Sequence, residues 1–137
     1  MNEEDPIFAP EVAKVLGLAE GLEVRILDLS GANGSDPVEV VRGFDTIAHA
    51  NAFARRYVRD SLDRCRARGM TPEGVLETWF AFGEDAEVTG AGDAAWRSAN
   101  EIKEFAARRA ADAEDRNWRV LDPRRDTDDE EEEEGEE

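Results

Sequence analysis

A chain of 137 residues with a formal net charge of −17 is long enough for one folded domain with one hydrophobic core. Ten of its 34 acidic residues lie in the last twelve positions, so the rest of the chain carries −7, which argues against direct binding to nucleic acid or to an anionic membrane surface. The single cysteine excludes an intramolecular disulfide framework, and no apolar run approaches the roughly 20 residues that span a bilayer.

The N-terminal segment begins with acidic residues, and we expect residues 1–6 to be frayed. A secretory signal starts with positive charge, so this beginning favours a cytoplasmic protein. Residues 7–18 predict a short helix, because Pro10 suits a first helical position and Gly17 suits the C-terminal cap.

Two stretches of strand-like sequence follow. Residues 22–29 alternate apolar and charged side chains at their start, which is typical of a half-buried strand, and residues 38–44 are rich in β-branched side chains. The segment between them, residues 30–37, contains the Gly, Asn, Ser and Pro of turns. The simplest arrangement is an antiparallel hairpin over 22–44.

The strongest helix prediction covers residues 46–68, with Asp45 or Thr46 as the N-cap and Gly69 after its end. Its apolar positions recur every three or four residues and are Ile47, Ala50, Phe53, Ala54, Tyr57, Val58, Ser61, Leu62 and Cys65. We expect Phe53 to lie in the core and to pack this helix on the hairpin.

Thr71 and Pro72 predict another helix start, but residues 74–89 allow two interpretations. Residues 75–82 could continue that helix, or a short helix could be followed by a strand from about Thr78. We favour the second, in which residues 79–82 pair with residues 86–89 as a second hairpin, because aromatic side chains suit pleated surfaces.

Gly90 and Gly92 resemble the start of a dinucleotide-binding turn, but Ala95 stands where the third glycine is needed, so we interpret them as a simple loop. Asp93 is then the predicted cap of a second long helix over 94–113. Residues 117–121 form a last apolar patch, predicted to be an edge strand or a docked extension, and Pro123 ends the ordered chain.

These elements predict an α+β fold, in which two long amphipathic helices cover a small antiparallel sheet made of one hairpin and a possible second one. A single domain is expected over residues 1–123, followed by a disordered tail over residues 124–137. The tail has almost no apolar side chains to bury, and its ten like charges repel each other. A basic surface is the kind of partner that this tail favours.

Chemistry-bearing residues are scarce. His49 is the only histidine and sits near the start of the long helix, whereas Cys65 lies near its end on the apolar face. We interpret His49 as a surface residue and Cys65 as a structural thiol, because the C-terminal end of a helix disfavours a thiolate. We therefore predict no catalytic residue, no metal site and no cofactor.

The long helix carries an arginine-rich face that includes Arg55, Arg59, Arg64 and Arg68. One interpretation is a solvated surface with local Arg–Asp pairs, and the other is a face that attracts the acidic tail or an anionic partner. Any aromatic side chains left exposed would form a contact patch, for which Trp79 and Trp118 are candidates.

The expected function is therefore a non-catalytic interaction or regulatory module that binds a protein partner, which could have a basic surface. One alternative is a small enzyme or ligand-binding domain with a pocket between the sheet and the helices. A further alternative is an acidic inhibitor that imitates nucleic acid, although its acids are concentrated in a tail instead of spread over a rigid face.

Overall fold

The sheet has three antiparallel strands, and the first strand in the chain is the central one. The computed structural model describes residues 21–125, in which β1 (Glu23–Asp28) pairs with β2 (Glu39–Val41) on one side and β3 (Glu84–Thr89) on the other. This sheet and the helices that cover it form the α+β fold that the sequence predicts.

The β1–β2 hairpin is confirmed, with Val24 opposite Val41 and Ile26 opposite Glu39. One face of the sheet supplies apolar side chains to the core, and these are Val24, Ile26, Val41, Ala86 and Val88. The predicted helix at residues 7–18, the frayed N-terminus and the acidic residues after 125 lie outside the described residues.

The long helix, α1 (Ile47–Arg64), is confirmed with Thr46 as its N-cap, whose hydroxyl accepts a hydrogen bond from the His49 N–H at 3.0 Å. It ends four residues before the predicted position, and Gly69 adopts a positive φ of 85° in the following turn. The helix packs on the inner face of the sheet. Phe53 is fully buried there, as predicted.

The second helix, α2 (Pro72–Phe82), begins at the predicted cap, since the Thr71 hydroxyl accepts from the Gly74 N–H at 3.1 Å. The predicted strand from Thr78 and its hairpin are wrong, because the helix continues to Phe82 and β3 pairs with β1 instead. Gly83 permits the direct connection from α2 to β3, because a Cβ at this position would lie 2.3 Å from the side chain of Trp79.

The predicted helix over 94–113 is also wrong, and the structure divides this stretch into short pieces. Turns of 3-10 helix at Gly92–Ala94, Ser98–Asn100 and Ala113–Arg116 flank a helix of six residues, α3 (Ile102–Ala107). Asp93 lies inside the first of these turns and does not act as a cap.

Polar side chains of α1 and that of Arg66, just after its end, explain this break, because they bind backbone groups that a continuous helix would pair internally. Asn51 donates to the carbonyl of Ala94 and accepts from the N–H of Trp96, both at 2.9 Å. The guanidinium groups of Arg59 and Arg66 donate to carbonyls at the C-terminal end of α3. Backbone groups satisfied in this way have no need of helical partners.

The last apolar patch is a docked extension and not a strand. Trp118–Leu121 forms a 3-10 turn against α1, where the Trp118 ring lies 4.9 Å from that of Tyr57. The ordered contacts continue beyond Pro123, since Arg124 donates to Glu39 at 2.7 Å and to Asp122.

Candidate functional site

Two of the predicted interaction arginines bind the C-terminal half of the same chain. Arg55 forms a two-point pair with Glu101 at 2.7 and 2.9 Å. Arg59 lies 4.5 Å from the centroid of the Phe105 ring and donates to the carbonyl of Arg108 at 2.8 Å. These groups fasten the segment after β3 to α1 and do not form a free basic surface.

The other two arginines lie near the end of α1. Arg64 pairs with Asp60 one turn earlier at 3.5 Å, which is the local Arg–Asp pairing of the first interpretation. Arg68 is exposed and forms no hydrogen bond or ion pair with any residue in the range 21–125. The proposed contact between this face and the acidic tail concerns residues outside that range and stays a prediction.

The Arg55–Glu101 pair lowers the pKa of Glu101, and this shift predicts a pH-dependent contribution to stability. The hydrogen bond from Arg55 lowers the pKa of Glu101, partial burial opposes this shift, and the Trp96 indole N–H adds to the lowering. A carboxyl with a lower pKa in the folded state stabilises the fold above its unfolded value of about 4.3, and this stabilisation is lost as the pH falls through the folded pKa.

We therefore expect Glu101→Gln to reduce the free energy of unfolding by about 1 kcal/mol at neutral pH and by almost nothing below pH ~3. Urea denaturation at several pH values measures this difference. Glu104→Gln is the control, because Glu104 pairs with Arg108 at an exposed position and should have a smaller effect. An effect of Glu101→Gln that stays constant down to pH ~2 would contradict the assignment.

The predicted contact tryptophans are not exposed. Trp79 is only 2% exposed and fills the core from α2, where its indole N–H donates to the carbonyl of Glu84. Trp118 is half-buried against Phe53 and Tyr57. Trp79 therefore offers no surface to a partner, and a contact patch must use other side chains.

His49 and Cys65 are too far apart to act together. They are separated by sixteen residues along α1, which corresponds to roughly 24 Å of helix. His49 Nε2 lies 2.7 Å from the carbonyl of Leu121, and its Nδ1 accepts from the N–H of Asp45. Partial burial raises the pKa of the Cys65 thiol, although the nearby Arg64 opposes the shift. Their absence from catalysis stays a prediction.

A shallow, open apolar groove lies along the outer side of α2. Its lining residues follow helical spacing and share one face of the helix: Glu73, Leu76, Glu77, Phe80 and Ala81. We call this surface the α2 groove. Phe80 is 56% exposed, and the neighbouring Phe82 at the helix end is 74% exposed.

The opposite side of the same helix explains why this groove points outward. Val75 and Trp79 are buried in the core, so Phe80, one position after Trp79, faces outward, whereas Leu76 lies at the margin and is half-buried against the core. The strand interpretation missed the α2 groove because side chains return to the same face every two residues in a strand and about every 3.6 residues in a helix. The two periods place different side chains beside Phe80. The Thr71–Pro72 start and the Gly83 stop are the signals that indicate the helix.

Charge around the α2 groove is negative. The helix contains no Lys or Arg, and neither Glu73 nor Glu77 forms an ion pair with another residue of the described chain. The groove therefore combines apolar side chains with two carboxylates that have no internal counterion in that part of the chain. Such a surface is complementary to an apolar segment that carries positive charge.

The described residues contain no group of three His, Cys, Asp or Glu side chains placed to hold a metal ion. In the same part of the chain, no helix combines the length and the apolar character that crossing a bilayer requires. Comparisons of the chain with models of protein families, with curated proteins and with solved structures found no match.

Proposed function

We propose that this protein is a non-catalytic interaction module, and that its α2 groove binds an amphipathic, positively charged segment of a protein partner. The exposed aromatic and aliphatic face of α2, bordered by Glu73 and Glu77, supports this proposal. We place the interaction in the cytoplasm, where a single free thiol such as Cys65 is the common state.

Apolar burial supplies the affinity in this proposal. Phe80 exposes more than half of its surface, and each Å² of apolar area that a partner covers contributes about 25 cal/mol. Aromatic side chains at the centre of a contact commonly account for most of the binding energy. Val75 and Trp79 hold α2 in the core, so the groove is already formed before a partner arrives.

Electrostatic attraction supplies the selectivity and the rate. Glu73 and Glu77 favour lysine or arginine at the margins of the bound segment, and the ten carboxylates of the acidic tail extend the negative field. This field is screened by salt over about 8 Å at physiological ionic strength, so it acts mainly during the encounter. The tail would therefore raise the association rate more than it slows dissociation.

Photo-crosslinking identifies the partner segment directly. A photoreactive amino acid replaces Phe80 in one variant and Val38, another exposed apolar residue just before β2, in a control variant. We expect the first variant to crosslink, in cells, to segments with net positive charge and apolar residues at helical spacing. Equal sets of products from both positions, or acidic segments at position 80, would refute the proposal.

The proposed interaction predicts that a substitution in the α2 groove changes the affinity for the partner without changing the stability of the fold. Phe80→Ser should weaken binding of the crosslinked segment, made as a synthetic peptide, by at least about tenfold, whereas Val38→Ser should leave it within about twofold. Because both positions are exposed, both variants should keep their free energy of unfolding within about 0.5 kcal/mol. Fluorescence anisotropy and urea denaturation measure the two quantities, and unchanged peptide affinity for Phe80→Ser would contradict the α2 groove as the contact.

A further inference from the structure

A separate cavity of about 220 Å³ lies at the outer edge of β3, where the segment of residues 96–99 folds back over the strand. One wall is formed by Asp85 to Val88, and the other includes Trp96, Arg97 and Ser98. Its volume is below the roughly 300 Å³ at which pockets for drug-sized ligands begin. It suits a small group and not a nucleotide.

The edge of β3 supplies unpaired backbone groups to this cavity. The Leu29 N–H donates to the Gly83 carbonyl, so β3 residues with odd numbers direct their backbone polar groups toward β1 and those with even numbers direct theirs to the open edge. The Ala86 N–H is bound by the Asp85 side chain at 2.8 Å. The Ala86 carbonyl and both backbone groups of Val88 have no partner among the described residues.

Asp85 is a partly buried carboxylate in the wall of the cavity. Burial raises its pKa, the hydrogen bonds from Ser98 and the Ala86 N–H oppose this shift, and the nearby Glu87 adds to it. No Lys or Arg in the described part of the chain lies within ion-pair distance of Asp85. A carboxylate that is partly removed from water without a cation is unfavourable for folding, and a bound cation would relieve this.

The opposite wall is held in place by Asn51 of α1 and by Glu101, the residue before α3. The Trp96 N–H donates to Asn51, and its indole N–H donates to Glu101 at 2.7 Å, which fixes the plane of the ring. Its apolar surface and that of Leu27 line the cavity beside the acceptor groups. The cavity therefore combines oxygen acceptors with an apolar wall, which suits a cation on a short apolar stem.

We propose that this cavity binds a protonated primary amine, with the Asp85 carboxylate as its counterion and one carbonyl of the β3 edge, that of Ala86 or of Val88, as a further acceptor. An ammonium group has three N–H donors and no acceptor, so it can bind the carboxylate and one edge carbonyl and direct its third N–H to water. The amine can belong to a small molecule or to a lysine side chain of an extended partner segment. This inference does not depend on the α2 groove.

Titration of the intact chain with n-butylammonium chloride tests the proposal, with amide NMR spectra recorded in amine-free phosphate buffer at constant ionic strength. Matched titrations use n-butanol, which keeps the stem without the charge, and butyrate, which reverses the charge. We expect saturable shifts at Ala86, Val88, Ser98 and the Trp96 indole N–H for butylammonium, with n-butanol and butyrate binding at least about tenfold more weakly. Equal affinity for n-butanol overturns the proposal, because the charge of the amine would then contribute nothing to binding. If Arg97 moves in solution and pairs with Asp85, the titrations give this same result.

Two variants assign the charge to one carboxylate. Asp85→Asn should weaken butylammonium binding by at least about tenfold, whereas Glu104→Gln, at an exposed position outside the cavity, should change it by less than about threefold. Unchanged affinity for Asp85→Asn, or an equal loss for both variants, overturns the assignment. If Asp85→Asn does not fold, the three wild-type titrations decide the question alone.

A peptide arm distinguishes the two sources of the amine. An acetylated and amidated Val-Lys-Val tripeptide offers the same ammonium group together with a backbone that can pair with Val88. At least about tenfold tighter binding of the tripeptide than of butylammonium, with a larger shift of the Val88 amide, indicates a lysine of a partner chain. Similar affinities of the two probes indicate a small amine, and both results support the cation site.

Discussion

Replacement of Phe53 by alanine is expected to reduce the free energy of unfolding by about 3–5 kcal/mol, out of the roughly 5–15 kcal/mol that a domain of this size has. Phe53 is fully buried and joins three aromatic neighbours, with ring centroids 5.2 Å from Phe44 and 5.9 Å from both Tyr57 and Trp118. The Phe53 side chain joins α1 to the sheet and to the C-terminal turn, and the substitution removes both contacts.

Urea denaturation followed by circular dichroism measures this loss, and Phe82→Ala is the matched control. Phe82 undergoes the same chemical change at a position that is 74% exposed, so we expect less than about 0.5 kcal/mol. A loss below about 1 kcal/mol for Phe53→Ala would mean that its cavity is not the centre of the core.

Replacement of Asp63 by alanine is the second substitution with a large expected effect. The Asp63 side chain is 1% exposed, and its two oxygens accept from Arg66 and from the N–H of Ala110, each at 3.1 Å. Without this carboxylate, a buried guanidinium loses its counterion and a backbone N–H loses its acceptor. The expected loss of unfolding free energy is about 3–5 kcal/mol.

The control for this prediction is Glu104→Ala, which removes an exposed partner of Arg108 and should cost about 0–1 kcal/mol. Limited digestion with trypsin adds a local measurement, since the segment that follows Ala107 should become accessible at Arg108 and Arg109 only in the Asp63 variant. Equal stability of the two variants would show that the ion pair between Asp63 and Arg66 does not hold this segment.

The sequence predicts the parts of the fold that depend on neighbouring residues. Thr46 and Thr71 have the cap chemistry that starts a helix, and the alternation over β1 identifies which side chains enter the core. The hairpin, the start of both helices and the burial of Phe53 follow from such local patterns, and the structure agrees with all of them.

The errors have a different origin, because they concern residues whose partners are distant in the chain. Nothing between 94 and 113 indicates that Asn51 takes the hydrogen bonds of Ala94 and Trp96, yet these bonds decide against a continuous helix. The aromatic run after Thr78 suits a strand by propensity, but the core position of Trp79 selects a helix.

The surroundings of the candidate surface residues also depend on contacts that are distant in the chain. Arginines spaced along a helix indicate positive charge, but the sequence does not show that Arg55 faces Glu101 or that Arg59 lies over Phe105. The α2 groove becomes visible only when the helical period is known over the whole of residues 72–82. The cavity at Asp85 requires the fold of residues 96–99, which local patterns do not give.

The position of β1 in the middle of the sheet has a consequence for the growing chain. Glu84, the partner of Asp28, follows it by 56 residues, so one edge of the β1–β2 hairpin has no strand to pair with while the helices between them are made. At 5–20 residues per second, synthesis of this stretch takes roughly 3–11 s. A strand edge that stays unpaired for this time can pair with strands of other chains. The charged side chains of Glu23 and Arg25 in β1 disfavour such pairing.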